Sequence, residues 1–187
     1  METFAEYLLS EEDLEGKMDI IYKLQRMLKE RKNISIYFNN TVIFKAEIAR
    51  MFLEYTNVGK EIDKNLVLTA CLLYSCKKLD KNQALENLYN YQQTGAEFLS
   101  TLGFDKRFCK ICKEVNRTNI IDEREPESEI LELIDIFGNL LLDEPERKGM
   151  LPEEAIAEMK TSIFDSEENY YLEQFEDFVR LMQEVRI

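Results

Sequence analysis

The sequence predicts an all-α, single-domain helical bundle, and three observations support this prediction. The chain of 187 residues contains only six Gly and three Pro, the residues that most often interrupt helices. Apolar residues recur at spacings of three and four, as they do along one face of a helix. The hydrophobic fraction of 45% is sufficient for one sizeable core, and the length fits a single domain of roughly 100–200 residues.

The first predicted helix runs from Ser10 to about Arg31. Residues 10–13, Ser-Glu-Glu-Asp, have the form of a capping box, flanked by apolar residues placed as a hydrophobic staple. An apolar stripe follows at Leu14, Met18, Ile21, Leu24 and Leu28. The alternating residues 34–38 fit either a short extended linker or the start of a helix.

The later helices should form the body of the bundle. A second helix carries apolar residues at Ala46, Ala49, Phe52 and Leu53. Asp63 should cap a helix over Leu66–Tyr74 that lacks a polar face, so we expect this helix to be central and buried on most sides. Further helices are predicted over Gln83–Tyr91, Thr94–Leu102 with Gly103 as a C-cap, Lys106–Asn116, Ser128–Leu142, Pro152–Thr161 and Tyr170–Val185. Residues 117–126 form a polar connector.

The charge of the chain narrows the classes of partner. Acidic residues number 37 and basic residues 24, which gives a formal charge of −13. Such a surface repels phosphate backbones and anionic lipid headgroups. The opening residues lack the positive region of a signal peptide, and no apolar run approaches the roughly 20 residues that span a bilayer. We therefore expect a cytoplasmic protein that binds neither nucleic acid nor membranes.

Three segments of the chain are similar to metal-binding motifs of one enzyme family. Residues 72–78, Leu-Leu-Tyr-Ser-Cys-Lys-Lys, resemble the Leu-Leu-His-Asp-Ile-Gly-Lys core of HD-domain phosphohydrolases, with Tyr74 at the ligand His and Ser75 at the ligand Asp. Residues 91–99 are similar to the His-Pro-x-x-Gly-x-x-Ile-Leu segment of the HD-GYP branch, with Tyr91 at the His position. Asn116 lies in the segment where the family carries His-His-Glu.

The C-terminal part of the resemblance is the most specific. Residues 130–137 are similar to the family's Ile-Leu-x-Val-Ala-Asp-x-Phe, and residues 145–156 follow its Pro-Tyr-Arg-x-Ala-x-Ser-x-Glu-Glu-Ala-Leu. Asp135 is therefore the one family metal ligand in place, and the Gly-Tyr-Pro loop has no counterpart. The resemblance implies an HD-GYP-like helical domain over residues 40–187, with residues 1–39 as an N-terminal helix and short linker packed on the bundle.

The family's catalytic metals are held largely by histidines, and this chain contains no histidine. Hydrolysis at a two-metal site needs ions held roughly 3.5–4 Å apart. A phenol at Tyr74, a hydroxyl at Ser75 and an amide at Asn116 do not replace an imidazole or a carboxylate as metal ligands. The sequence therefore predicts a catalytically inactive member, a pseudoenzyme without metal or other cofactor.

Three functions follow from this interpretation. The leading hypothesis is a regulatory or protein-interaction module that docks a protein partner or a second copy of itself. The first alternative is a non-hydrolytic sensor of a nucleotide or cyclic dinucleotide, with Lys78 and Arg147 as anion contacts. The least favoured is a divergent metal-dependent phosphohydrolase, in which Asp135, Glu114 and Glu97 hold one ion.

Core packing is the simpler interpretation of the remaining candidate residues. Tyr74 and Tyr91 should fill the space of the missing metals with their rings, with hydroxyls bonded to Asp135 or Ser75. The four cysteines are most simply buried thiols, because free Cys is common in cores. A four-thiolate zinc site remains an alternative, formed by Cys71, Cys76, Cys109 and Cys112.

Overall fold

A computed structural model describes residues 40–56, 62–78, 90–164 and 169–184. These ranges contain seven α-helices and no β-strand, which confirms the prediction of an all-α fold. The helices are α1 (Asn40–Tyr55), α2 (Lys64–Leu73), α3 (Tyr91–Thr101), α4 (Lys106–Glu114), α5 (Pro126–Leu141), α6 (Pro152–Glu158) and α7 (Leu172–Glu184). The predictions for residues 10–31, 34–38 and most of 83–91 lie outside the described ranges.

Helix α2 is the central element, as its apolar sequence predicts. All eight residues from Leu66 to Leu73 are buried. Helix α1 packs along α2 and α5, while α4 packs against α3, α2 and α5. Every side of α2 therefore meets protein, which explains why this helix needs no polar face.

A cluster of aromatic rings joins the C-terminal helix to the bundle. Phe175 on α7 makes edge contacts with Phe52 on α1 and Phe137 on α5, each with ring centroids 5.0 Å apart. Phe178, one turn further along α7, lies 5.6 Å from Phe52. These edge-to-face contacts are the arrangement that aromatic pairs prefer. They fix α7 against the two helices that carry the polar cluster described below.

The ends of the described helices lie within three residues of the predicted ones. Gly103 has φ of 92°, the left-handed conformation that a glycine after a helix end adopts without strain. Helix α3 begins three residues earlier than predicted, at Tyr91, and α5 begins at Pro126 rather than Ser128. Residues 117–119 of the predicted connector form a short 3-10 turn, and a π-helical turn, Met159–Ile163, extends α6.

The connector before α5 is anchored at one buried carboxylate. Glu132 accepts hydrogen bonds from Arg117 Nε at 2.6 Å, from Arg124 at 2.9 Å and from Asn169 at 3.0 Å. These three donors come from both sides of α5 along the chain. Because charge-assisted hydrogen bonds to a buried carboxylate are strong, Glu132 ties the connector and the start of α7 to α5.

Substitution of Asp63 tests whether its side chain caps the start of the central helix, α2. The Asp63 side chain accepts a hydrogen bond from Leu66 N at 3.2 Å, and its backbone is extended, as at an N-cap. We expect Asp63→Ala to lower the free energy of unfolding by about 1 kcal/mol, measured by urea denaturation. Asp63→Asn is the matched control and should lose little, because Asn caps as well as Asp. Equal losses in both variants would contradict the capping role.

Candidate functional site

Two tyrosines and an aspartate from the predicted site lie together in the core. Tyr74 follows the last residue of α2 and is 2% exposed. Its hydroxyl donates a short hydrogen bond to Asp135 Oδ1 on α5, one of the two partners expected for it, the other being Ser75. The Tyr91 ring, at the start of α3, lies 6.4 Å from the Tyr74 ring. The tyrosine rings thus occupy the space beside Asp135.

Lys45 on α1 completes this cluster. The side chain is 3% exposed, and its Nζ atom reaches the same carboxylate oxygen, Asp135 Oδ1, at 2.5 Å. Nζ also donates to Asn139 Oδ1 at 2.7 Å and to the Tyr74 hydroxyl oxygen at 3.1 Å. An ammonium has three donors, so all three are satisfied. A positive charge of the protein itself therefore neutralises Asp135.

One oxygen of the Asp135 carboxylate is the acceptor that the cluster shares. Asp135 Oδ1 accepts from Lys45, from the Tyr74 hydroxyl and from Asn139 Nδ2, the last at 3.1 Å. Asn139 lies four residues after Asp135 on α5, which places the two side chains on one helix face. Its amide therefore both donates to the carboxylate and accepts from the ammonium. We call Lys45, Tyr74, Asp135 and Asn139 the lysine cluster.

Gly138 makes room for the lysine side chain. A Cβ atom added at Gly138 would lie 2.7 Å from Lys45 Cγ and 3.1 Å from Lys45 Cε. The lysine cannot easily move aside, because its Nζ is held by three hydrogen bonds. The close approach of α1 to α5 at this point therefore requires glycine at position 138.

Neither Lys45 nor Asn139 was predicted from the sequence. A signal for Lys45 was present, because position 45 lies seven residues before Phe52 and four before Ala49, on the apolar stripe of α1. A lysine at such a position usually extends its amine to solvent. Here the buried Asp135 supplies an internal partner, and only the packing of α1 against α5 brings the two together.

Burial and the nearby carboxylate keep both tyrosines in their neutral form. Removal from water raises the pKa of Tyr74 well above its ordinary value, and the Asp135 charge raises it further. The same two causes, burial first, raise the pKa of Tyr91. A neutral phenol is a hydrogen-bond donor, which is the role that Tyr74 performs toward Asp135. Neither hydroxyl is suited to bind a metal as a phenolate at neutral pH.

The predicted anion contacts are occupied by other groups. Arg147 donates from Nη1 to Leu140 O and from Nη2 to Asn139 O, each at 2.9 Å. These carbonyls lie in the last turn of α5, so Arg147 serves as a cap for that helix. Lys78 Nζ lies 5.4 Å from the centre of the Tyr91 ring, a cation–π distance. Only Lys78 of this pair is therefore close to the tyrosines.

Two further predicted positions have local roles. Ser75 is buried in the turn after α2, and its carbonyl accepts from Lys78 N at 2.8 Å. The Asn116 side chain accepts from Thr118 N at 3.1 Å and so caps the 3-10 turn. Each residue accepts a hydrogen bond within its own turn and so stabilises the local backbone.

The described residues do not fit a metal centre. In the part of the chain that the structure describes, no three His, Cys, Asp or Glu side chains are placed to hold an ion. Glu97 is exposed and accepts from Gln93, while buried Glu114 accepts from Glu125 N at 3.2 Å. The three carboxylates proposed for a single ion thus do not converge on Asp135.

The cysteines are close together without forming a zinc site. All four are buried free thiols. Burial raises the pKa of Cys112 well above its ordinary value, and Cys76, Cys109 and Cys71 lie near enough to raise it further. The two thiols of α4 thus lie near Cys71 on α2 and Cys76 just after it. Within the described ranges, however, these thiols are not placed to hold a metal ion.

Comparison with known proteins finds no matching family model, no matching curated protein and no matching solved structure. The resemblance to the HD-GYP phosphohydrolases therefore stays a prediction from the sequence. The described helices include none that is both long and apolar enough to cross a membrane.

Proposed function

We propose that this chain is a catalytically inactive, HD-GYP-like domain that acts as a regulatory or protein-interaction module. One observation carries the proposal: the ammonium of Lys45 lies 2.5 Å from Asp135, the single carboxylate that the resemblance assigns to metal binding. The cation that this carboxylate needs is supplied by the protein.

Electrostatics explains why this arrangement opposes metal chemistry. A divalent ion binding at Asp135 would lie beside the buried Lys45 ammonium, and like charges in a poorly solvated site repel strongly. Removing the ammonium to make room would break its hydrogen bonds to Tyr74 and Asn139. A two-metal reaction would also need several more ligands within reach of Asp135. The lysine cluster therefore favours a structural role for this part of the core.

A role in binding another protein agrees with the charge of the chain. The formal charge of −13 attracts basic protein surfaces and repels anionic small molecules. A nucleotide or cyclic-dinucleotide sensor is the second candidate, and the placement of Lys78 over the Tyr91 ring favours it. The use of the Arg147 guanidinium to cap α5 weakens it, because the second expected anion contact is lost. Docking of a basic protein partner is the stronger hypothesis.

Metal content and hydrolysis together test the lack of activity. We expect untagged protein, purified without chelator, to contain no stoichiometric transition metal. We also expect no hydrolysis of cyclic dinucleotides or model phosphodiesters when manganese or iron is added. The reason is that Lys45 already neutralises Asp135. A polyhistidine tag must be avoided, because it would supply the ligand that the chain lacks.

A matched variant separates a contaminant from true activity. Turnover that persists in Asp135→Ala would belong to a contaminating enzyme and leave the proposal intact. Turnover abolished by Asp135→Ala but retained in the exposed-site control Glu97→Ala would overturn it.

A further inference from the structure

An apolar groove of about 240 Å³ lies between helices α1 and α7. The ten described residues that line it include no charged side chain, although 33% of the chain is charged. Its two walls are formed by Phe44, Ile48 and Met51 of α1 and by Phe178, Val179 and Met182 of α7. Apolar surface of this kind, bordered by polar residues, is typical of interaction sites.

The apolar surface continues along α1 beyond the groove. Its stripe of Phe44, Ile48, Met51 and Tyr55 is spaced as i, i+4, i+7 and i+11, so these residues share one helix face. The Tyr55 ring lies 5.8 Å from the Phe178 ring, which joins the stripe to α7. Phe44 is 36% exposed, and Tyr55 is also exposed. Apolar side chains that project into solvent therefore stand beside a groove of the same chemistry.

Acidic residues next to the two groove walls have basic partners in the same chain. On α1, Arg50 Nη1 donates to Glu54 at 2.7 Å. On α7, Glu176 accepts from Lys160 at 2.6 Å and from Arg180 at 3.2 Å. Pairs of opposite charge produce only a weak field at a distance. These pairs therefore reduce, at the groove, the repulsion between two chains that each carry a formal charge of −13.

A second copy of the chain has the chemistry that this face accepts. An uncharged lining offers nothing to a strongly basic partner, whereas another copy brings the same apolar stripe. In a two-fold dimer the same surface is used twice, so the exposed Phe44 ring of each copy can enter the groove of the other.

The size of the face sets the strength of such a dimer. Helix α1 has 16 residues and is therefore about 24 Å long, and two helices side by side are about 20 Å wide. Such a face lies at the low end of the range for specific interfaces, where about 800 Å² per partner is standard. The dimer should accordingly be weak and reversible.

We propose that this chain forms a two-fold symmetric dimer in which the groove and the α1 stripe of one copy pack against those of the other. The inference rests on the proposed role in protein contacts, for which it names a second copy as the partner. The two can fail separately, because metal content and turnover test the lack of activity, whereas the experiments below measure association.

Analytical ultracentrifugation of the full-length, untagged protein tests the dimer. We expect the average mass to rise from 22.2 kDa toward twice that value as the protein concentration increases from about 1 to about 100 µM. Raising sodium chloride from about 0.05 to about 0.5 M should strengthen association, because salt screens the repulsion between acidic chains and leaves apolar contacts in place. A protein that stays monomeric under all these conditions would overturn the proposal.

Two substitutions test whether the contact lies at the groove. Phe44→Glu on α1 and Met182→Glu on α7 each place like charges on both copies, so each should raise the dissociation constant at least about tenfold. The matched control is Ile121→Glu, since Ile121 is 79% exposed on the connector, and it should dimerise as the wild type does. Circular dichroism shows which variants keep the bundle. A dimer that persists in a folded groove variant with unchanged affinity would contradict the proposed interface.

A conservative variant gives a direct signal from the groove. The chain contains no tryptophan, so Phe44→Trp introduces a single fluorescent probe there. Its emission should shift to shorter wavelength over the same concentration range in which the mass rises, because the indole ring leaves water. Ile121→Trp should show no shift. Constant emission from Phe44→Trp while the mass doubles would place the interface elsewhere and overturn the proposal.

Discussion

Lys45→Met is expected to lower the free energy of unfolding by about 3–5 kcal/mol, because it leaves a buried carboxylate without its counter-charge. Asp135 is 8% exposed, and methionine has nearly the shape of lysine without its charge or its hydrogen bonds. The loss would therefore come from electrostatics and unsatisfied hydrogen bonds rather than from a cavity. Urea denaturation at neutral pH measures it.

A double variant separates this explanation from simple loss of packing. Replacing a buried ion pair with apolar residues of similar size is often close to neutral. We therefore expect Lys45→Met combined with Asp135→Leu to recover most of the stability lost in Lys45→Met. The control Lys106→Met, at an exposed position on α4, should change stability by less than about 0.5 kcal/mol. A double variant less stable than either single variant would show that the lysine cluster is not an isolated charge pair.

Raising the pH should unfold this protein within a narrow alkaline pH interval. Burial raises the pKa of Cys109 to about 11 and of Cys76 to about 12, and it raises the pKa of Cys71 and Cys112 well above their ordinary values. In the unfolded chain these thiols lose their protons near pH 8.5. Above that pH the unfolded state binds fewer protons than the folded state, so stability falls as pH rises.

The expected size of the pH effect follows from proton counting. Each buried thiol removes up to about 1.4 kcal/mol per pH unit between its unfolded and its folded pKa. The most buried thiols, with a smaller share from the less deeply buried Cys109, should together remove several kcal/mol of stability as the pH rises above about 9.5. The raised pKa values of Tyr74 and Tyr91 add to the loss above about pH 10.

Urea denaturation at a series of pH values, with a phosphine reductant present, checks this prediction. Cys112→Ala should make the decline less steep by up to about 1.4 kcal/mol per pH unit, since one titrating group is removed. Ser75→Ala is a matched control at a buried position that does not titrate, and it should leave the slope unchanged. A stability that stays constant up to pH 11 would contradict the burial of the thiols.

The helices were predictable because each has a local cause. The apolar run in α2, Asp63 before it and Gly103 after α3 all act within a few residues of the feature that they determine. A contact of the Tyr74 hydroxyl with either Asp135 or Ser75 was also expected, because these residues stand in the segments where the resemblance places a metal site.

The remaining parts of the site depend on contacts between distant segments. Lys45 is buried only because α5 presents a carboxylate to it, and no periodic pattern in α1 distinguishes this lysine from one that reaches solvent. Arg147 was interpreted as an anion contact, yet the paired backbone of Glu144 and Arg147 turns it back toward α5. This reversal of the chain depends on tertiary structure. The sequence around Arg147 does not reveal it.

The glycine at position 138 has a consequence for how related chains can vary. Lys45 in its observed conformation and a Cβ at position 138 would clash, since the added atom would lie 2.7 Å from Lys45 Cγ. Substitutions at these two positions should therefore be inherited together, although the positions are far apart in the chain. A relative with a short residue at position 45 is free to carry alanine at 138, whereas one that keeps Lys45 should keep Gly138. This pairing, together with Asp135, is a signature by which divergent relatives of this chain could be recognised when overall similarity has faded.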